Sequence, residues 1–216
     1  MQKKLLLVLT IVGSALVSRA QVEKNDWLLG GYFNFNTSSS SSNNGSNNGS
    51  NSGSNSNISP ELGWAAGKNS IIGARGSVNF GTSKDVNGYK STNHSYLVGA
   101  FWKKLFPINE KVGWYGDLTG AYSYSNNEFA NSSQPQQVSG SGFYAAISPG
   151  VYYKAGKKIL LNAAIGGMTY NYGKTNYDYT GSSGGQGSSK ASTFGINLLN
   201  YYSFGVSFIL NKEHQM

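Results

Sequence analysis

The chain contains no cysteine, only nine acidic residues, and no long apolar run after its first twenty residues. Each shortage removes a class of protein. With no cysteine beside the leader boundary, a lipid-anchored lipoprotein is excluded. Without about 18 consecutive apolar residues, no helix can span a membrane. Charged residues make up 12% of the chain, against roughly one quarter in a soluble domain. The net charge of +8 is diffuse, with neither a basic stripe nor a recognition helix, so no nucleic-acid partner is expected. There are two histidines, His94 and His214. No His/Cys/carboxylate group has metal-ligand spacing, so neither a metal nor a cofactor is expected.

Residues 1–20 stand apart from the rest. Lys3 and Lys4 precede an apolar run from Leu5 to Val12, and Ser18 and Ala20 are the small residues of a cleavage site. This is the pattern of a secretory signal peptide, cut after Ala20. Lys3, Lys4 and Arg19 leave with it, so the mature chain, 21–216, carries 14 basic against 9 acidic residues. Its length suits a single domain.

Glycine (29 residues) and aromatic side chains (13%) are abundant. The mature chain alternates apolar and polar residues in eight segments. They lie near 26–36, 58–66, 71–81, 95–103, 112–124, 142–154, 159–172 and 193–210. A period of two places each apolar set on one face of a sheet. Trp27, Leu29, Phe33 and Phe35 share a face in the first segment, with Tyr32, Asn34 and Asn36 opposite. The connectors alternate between long and short. The long ones fall near 37–57, 82–93, 125–141 and 173–192, and the short ones near 67–70, 105–111 and 155–158. Long loops at one end and short turns at the other are the pattern of an outer-membrane barrel. Only helices and closed barrels satisfy every backbone polar group in lipid. The expected fold is therefore all-β: an eight-stranded antiparallel up-and-down transmembrane β-barrel. The Ser/Asn-rich stretch 38–56 has nothing to bury and is expected to be a mobile loop.

An internal echo supports this reading. Ile58–Ala74 aligns without gaps on Ile147–Ala163, with Ser59-Pro60 matching Ser148-Pro149 and Gly67-Lys68 matching Gly156-Lys157. Proline removes a ladder bond, so a bulge is expected at Ser148-Pro149-Gly150 and a similar one at Pro60.

On the inward face the alternation places the charges Glu61, Arg75, Lys103, Asp117 and Lys154. If the first short turn centres on Lys68, Glu61 faces Arg75 across it. A charge in so narrow a lumen needs a partner, so these five residues are expected to form a network that plugs the barrel and sets its register. An ion path is the alternative; eight strands leave an interior just wide enough for side chains to fill. The outward aromatics Trp27, Trp64, Trp102, Trp114, Tyr153 and Phe208 lie near the short-turn ends, as an interfacial girdle would. No catalytic residue is assigned, although His94 lies near Ser91, Ser95 and Asp85 and could imitate a lipid-modifying site. A soluble lipocalin-like barrel also alternates, but with its apolar face inward.

The Ser-Pro strand openings (Ser59–Trp64, Ser148–Tyr153), the Gly-Lys turns and the closing run Tyr202-Ser203-Phe204-Gly205-Val206-Ser207-Phe208 resemble those of small outer-membrane β-barrels of the Bacteroidota type. Their shape is that of the OmpX and OmpA membrane domains. The resemblance covers nearly the whole mature chain. It departs from the usual form in that eight residues follow Phe208. It implies an outer-membrane location, surrounding lipid, the barrel-assembly machinery as a partner in biogenesis, and a monomer. The implied role is structural or surface-interacting, with a ligand for the loops left open. A small pore or channel is the alternative, and a lipid A-modifying enzyme a more remote one.

Overall fold

The computed structural model describes residues 22–44, 47–84, 89–130, 136–179 and 186–210, and the expected leader lies outside them. Eight antiparallel strands follow one another around a closed barrel. They are β1 (Trp27–Asn44), β2 (Asn47–Gly67), β3 (Ser70–Lys84), β4 (Lys90–Pro107), β5 (Val112–Ala130), β6 (Gln136–Lys154), β7 (Ile159–Tyr179) and β8 (Gln186–Leu210). Pairing of β1 with β8, from Trp27↔Leu210 to Phe33↔Phe204, closes the ring. Beyond Phe33 those two edges separate. β8 pairs in two stretches, 186–197 and 202–210; taken as two strands, they bring the sheet to nine.

The barrel is apolar outside. Leu29, Phe33, Ile72, Val98, Leu118, Phe143, Ile147 and Phe204 are all exposed. The inner face holds Leu28, Glu61, Ile71, Phe101, Lys103, Leu105, Tyr115 and Asp117, all buried. β4 shows the alternation residue by residue, with Phe101, Lys103 and Leu105 inside and Ala100, Trp102 and Phe106 outside. Alternation in the eighth segment also turns Leu198 and Tyr202 outward; their side chains lie outside the described residues.

The short turns have local causes. The β2–β3 turn is Lys68-Asn69, and Asn69 takes φ 58°, a left-handed conformation asparagine tolerates. The Asn69 N–H donates to Val22 O (3.2 Å), and its carbonyl accepts from Leu105 N–H (2.9 Å). At the β4–β5 turn, Asn109 Oδ1 accepts from the N–H groups of Lys111 (2.9 Å) and Val112 (2.8 Å).

The four long connectors are a correction to the sequence reading. The stretches near 37–57, 82–93, 125–141 and 173–192 continue the ladders: β1 and β2 pair as far as Asn44↔Asn47, β3 and β4 to Lys84↔Lys90, β5 and β6 to Phe129↔Gln136, and β7 and β8 to Asp178↔Gln186. Ser38–Ser56 is therefore largely ribbon. Backbone pairing needs no apolar side chain, and serine and asparagine leave it intact where there is no core to fill. The tips at 45–46, 85–88, 131–135 and 180–185 lie outside the described residues.

The two prolines act differently. Pairing shifts between Ile147 and Gly150, as Pro149 predicts, but the extra residue belongs to the facing strand. Ile165, Gly166 and Gly167 stand against Ser148 and Pro149, with Gly166 at φ 68°. That conformation favours glycine. Pro149 offers β7 no N–H, so β7 can accommodate the surplus there. Around Pro60 the β2–β3 pairing lapses and resumes in the same register, so no bulge forms there.

At the short-turn end the interior is closed by apolar packing. Ile71, Leu105, Tyr152, Leu160 and Ile209 are almost fully buried. Val22 is buried with them, held by Asn69 and by the strand-like bonds Asn25 N→Ala65 O (2.9 Å) and Ala65 N→Asp26 O (2.8 Å). Leu105→Ala would leave a cavity in this plug. The expected loss is about 2–5 kcal/mol, read as a lower urea midpoint for the barrel refolded in lipid vesicles.

Candidate functional site

Four of the five inward charges meet, one from each of β2, β3, β4 and β5. The register brings them together. Glu61 stands directly opposite Arg75, and Lys103 directly opposite Asp117. Arg75 lies opposite Gly99, which has no side chain to obstruct its reach toward β5. A Cβ at Gly99 would strike Ala121 and the Gly120 carbonyl.

The guanidinium is fully committed. Nε donates to Glu61 Oε1 (2.6 Å), and Nη2 donates to Asp117 Oδ2 (2.6 Å) while also contacting Glu61 Oε1. Nη1 donates to Asp117 Oδ1 (3.1 Å) and to the Thr119 hydroxyl. Four hydrogen bonds and one further ion-pair contact thus engage all three nitrogens of the group. Thr119 in turn donates to Asp117 Oδ1 (2.9 Å). Lys103 Nζ donates to Glu61 Oε2 (3.0 Å) and lies 3.7 Å from Asp117 Oδ2. The four formal charges cancel.

Aromatic rings surround the cluster. The Arg75 guanidinium lies 4.9 Å from the Phe101 ring centroid, and Lys103 Nζ lies 5.1 Å from that of Tyr32 and 5.6 Å from that of Tyr115. Such placements stabilise a desolvated cation. The Tyr32 hydroxyl donates to that of Tyr115 (3.3 Å). Tyr32, Phe101, Tyr115 and Thr119 were not singled out from the sequence as parts of this network. Phe101, Tyr115 and Thr119 each stand two residues from a charge on the same strand, so the parity that placed the charges also places these side chains inside.

Lys154 is the exception. It lies six residues along β6 from Ser148, the partner of Asp117, or roughly 20 Å at strand rise. Its backbone N–H donates to Lys111 O (2.6 Å) at the short-turn rim. Inward parity alone had grouped it with the others; depth along the barrel separates it.

Above the cluster a cavity of about 410 Å³ opens toward the long hairpins, with Arg75, Asp117 and Thr119 in its floor and Asn57, Ser77, Asn79, Ser123 and Tyr144 in its wall. Higher still, a second chamber of about 330 Å³ is lined, among the described residues, by Asn, Ser, Thr and Gly from β1 to β4.

The expected girdle residues Trp27, Trp64, Trp102, Trp114, Tyr153 and Phe208 all lie near the short-turn ends of their strands. Trp27 pairs directly with Trp64, and Trp102 Nε1 donates to Ser70 Oγ (2.9 Å). Trp64 is half-buried and the others are exposed. A second aromatic row, not singled out from the sequence, lies at the far edge of the apolar band: Phe35, Phe80, Tyr124, Phe143, Tyr172 and Phe194 are exposed. On β5 the two rows stand ten residues apart, from Trp114 to Tyr124. At strand rise and a barrel tilt near 40° this is roughly 25 Å along the axis.

His94 pairs with Phe80 and packs edge-on against its ring at 5.5 Å between centroids. It lies on the same strand face as Tyr96, while Ser91 and Ser95 lie on the opposite one, and Ser91 bonds Ser83 (2.6 Å). Asp85 and His214 lie outside the described residues. Alternation thus puts the imidazole and the two serines on opposite sides of β4. Among the described residues, no group of three or more His, Cys, Asp or Glu is placed to hold a metal ion.

No family model matches the chain, and no curated protein matches its sequence. Solved structures share its fold. The outer membrane protein OprG from Pseudomonas aeruginosa superposes with a TM-score of 0.53 at 14% identity, covering 90% of this chain and all of that one. The translocator domain of autotransporter NalP from Neisseria meningitidis gives 0.47 at 16% identity, over 98% of this chain and 77% of that one. A major outer membrane protein from Thermus thermophilus gives 0.45 at 10% identity, over 85% and 99%. At these identities the likeness to OprG establishes a shared barrel fold.

Arg75→Met would leave Asp117 buried without its principal partner, at an expected cost of about 3–5 kcal/mol. Arg75→Met combined with Asp117→Leu removes both charges and is expected to recover most of that loss. Urea titration of the single and double variants in vesicles checks the difference.

Proposed function

We propose that the chain is an integral outer-membrane β-barrel with a sealed lumen and a structural role. It is a rigid anchor holding four polar hairpins beyond the cell surface. The observation that carries this reading is the inverted surface: a band of exposed apolar side chains bounded by two aromatic rows. A lipocalin-like barrel in water would turn that band inward. Lipid removes it from water, and the spacing of the rows matches a hydrocarbon band about 25 Å tall. The barrel fold shared with outer-membrane proteins supports the same location. Export through a cleaved leader, insertion by the barrel-assembly machinery and a monomeric state complete the proposal, with no nucleic-acid partner and no catalytic centre. The Ser-Pro openings and the closing aromatic strand favour the Bacteroidota type of OmpX/OmpA-shaped barrel.

A small pore is the second reading, favoured by the cavity that reaches down to Arg75 and Asp117. Below that floor stand the charge cluster and then the apolar plug of Ile71, Leu105, Tyr152, Leu160, Ile209 and Val22. An ion would have to displace both layers.

The protein is expected in detergent extracts of the outer membrane, with heat-modifiable gel migration; recovery as a soluble periplasmic protein would overturn the proposal. Leu118→Arg places a charge on the lipid face between the aromatic rows and is expected to cost about 2–4 kcal/mol of folding stability in vesicles. Planar-bilayer recording is expected to give no conductance above background. Steady conductance would establish the pore reading instead.

A further inference from the structure

We infer that the cavity above the charge cluster is a binding site for a small neutral saccharide, of one or two sugar rings. Its volume of about 410 Å³ lies in the range of small-molecule pockets. Its floor determines the charge of the occupant. Every nitrogen of Arg75 is already engaged by Glu61, Asp117 or Thr119. Lys103 is buried against Glu61, and the cluster carries no net charge. An anionic or cationic ligand would lose its hydration here without gaining a counter-charge.

The walls determine its chemistry. The polar groups above the floor are hydroxyls and amides, among them Asn57, Ser77, Asn79 and Ser123. A hydroxyl both donates and accepts, and an amide offers one group of each kind, which matches the paired donor and acceptor character of sugar hydroxyls. Tyr144 and Leu97 supply apolar surface in the same wall, as the C–H face of a sugar ring requires. Some of the polar groups are already held in place. Asn57 Nδ2 donates to Ser77 Oγ (2.7 Å), and Ser59 Oγ donates to Asn57 Oδ1 (2.7 Å). Above them the second chamber, with Asn36, Asn55 and Asn93 in its lining, continues the uncharged polar surface toward the hairpin tips. This inference rests on the proposed outer-membrane reading only for the direction in which the cavity opens.

The test is saturation-transfer NMR on the full mature chain in detergent micelles. The probes are glucose, N-acetylglucosamine and maltose, with glucuronate and glucosamine as charged counterparts. Transfer to at least one uncharged sugar is expected, with a Kd of about 1 mM and weaker transfer to the charged pair. Ser123→Phe, which fills the cavity, is expected to weaken binding at least about tenfold, whereas Ser123→Thr retains it. Heat-modifiable migration of each variant shows whether the barrel is folded, so loss of the site and loss of the membrane barrel are read separately. No transfer to any of the three uncharged sugars, stronger transfer to a charged one, or unchanged binding in folded Ser123→Phe would overturn the assignment.

Discussion

Arg75 can be held inside this barrel only because Glu61 and Asp117 reach it from two different strands. Eight strands enclose little more than their own side chains, so an inward charge has no bulk water to rely on. Desolvation of one such ion costs several kcal/mol. The residues around the cluster meet that demand: Gly99 leaves room for the guanidinium, Thr119 bridges it to Asp117, and Phe101 and Tyr32 present ring faces to the cations. The ion pairs also specify register. A slip of one residue between β2 and β3 would move Glu61 to the other face of its sheet.

The lumen is thereby divided along its axis. Apolar side chains fill the short-turn end, compensated charge lies across the middle, and uncharged polar groups line the open end. This order follows the hydration available at each depth. At the turns, Val22 and the strand ends pack a dry plug. In the hairpins the inward serines and asparagines have room for solvent and need no ion partners.

Much of this was legible in the sequence because parity in a strand is strict. Counting about Lys68 makes Glu61 face Arg75. In the fold the two-residue turn Lys68-Asn69 alone would set Glu61 against Gly76, and the extra residue between Ala65 and Gly67 restores the pairing. Alternation along β4 and β5 puts Lys103 and Asp117 inside. Parity says nothing about depth, which is why Lys154 was grouped with charges that lie roughly 20 Å away along the strand. Hydrophobic alternation likewise marks only the lipid-facing part of a strand. The Ser/Asn-rich continuation of β1 and β2 carries no such signal, yet its backbone pairs as far as Asn44↔Asn47. In β7 the extra residue near Gly166 reverses the alternation. Leu161 and Met168 are both exposed although their numbers differ in parity. Pro149 marked that level of the barrel, but it could not reveal that the facing strand would carry the surplus.

The joint between β1 and β8 is the shortest in the ring, running only from Trp27↔Leu210 to Phe33↔Phe204, and it unites segments at opposite ends of the described chain. Every other joint links neighbours in sequence and can zip from a nearby bend. This one must wait until all the intervening strands have been made, and it carries the largest loop-closure entropy. A product truncated before Phe204 would therefore be a curled sheet with two bare margins, able to stitch onto another copy. The closing residues of β8 are thus the last ones the ring requires.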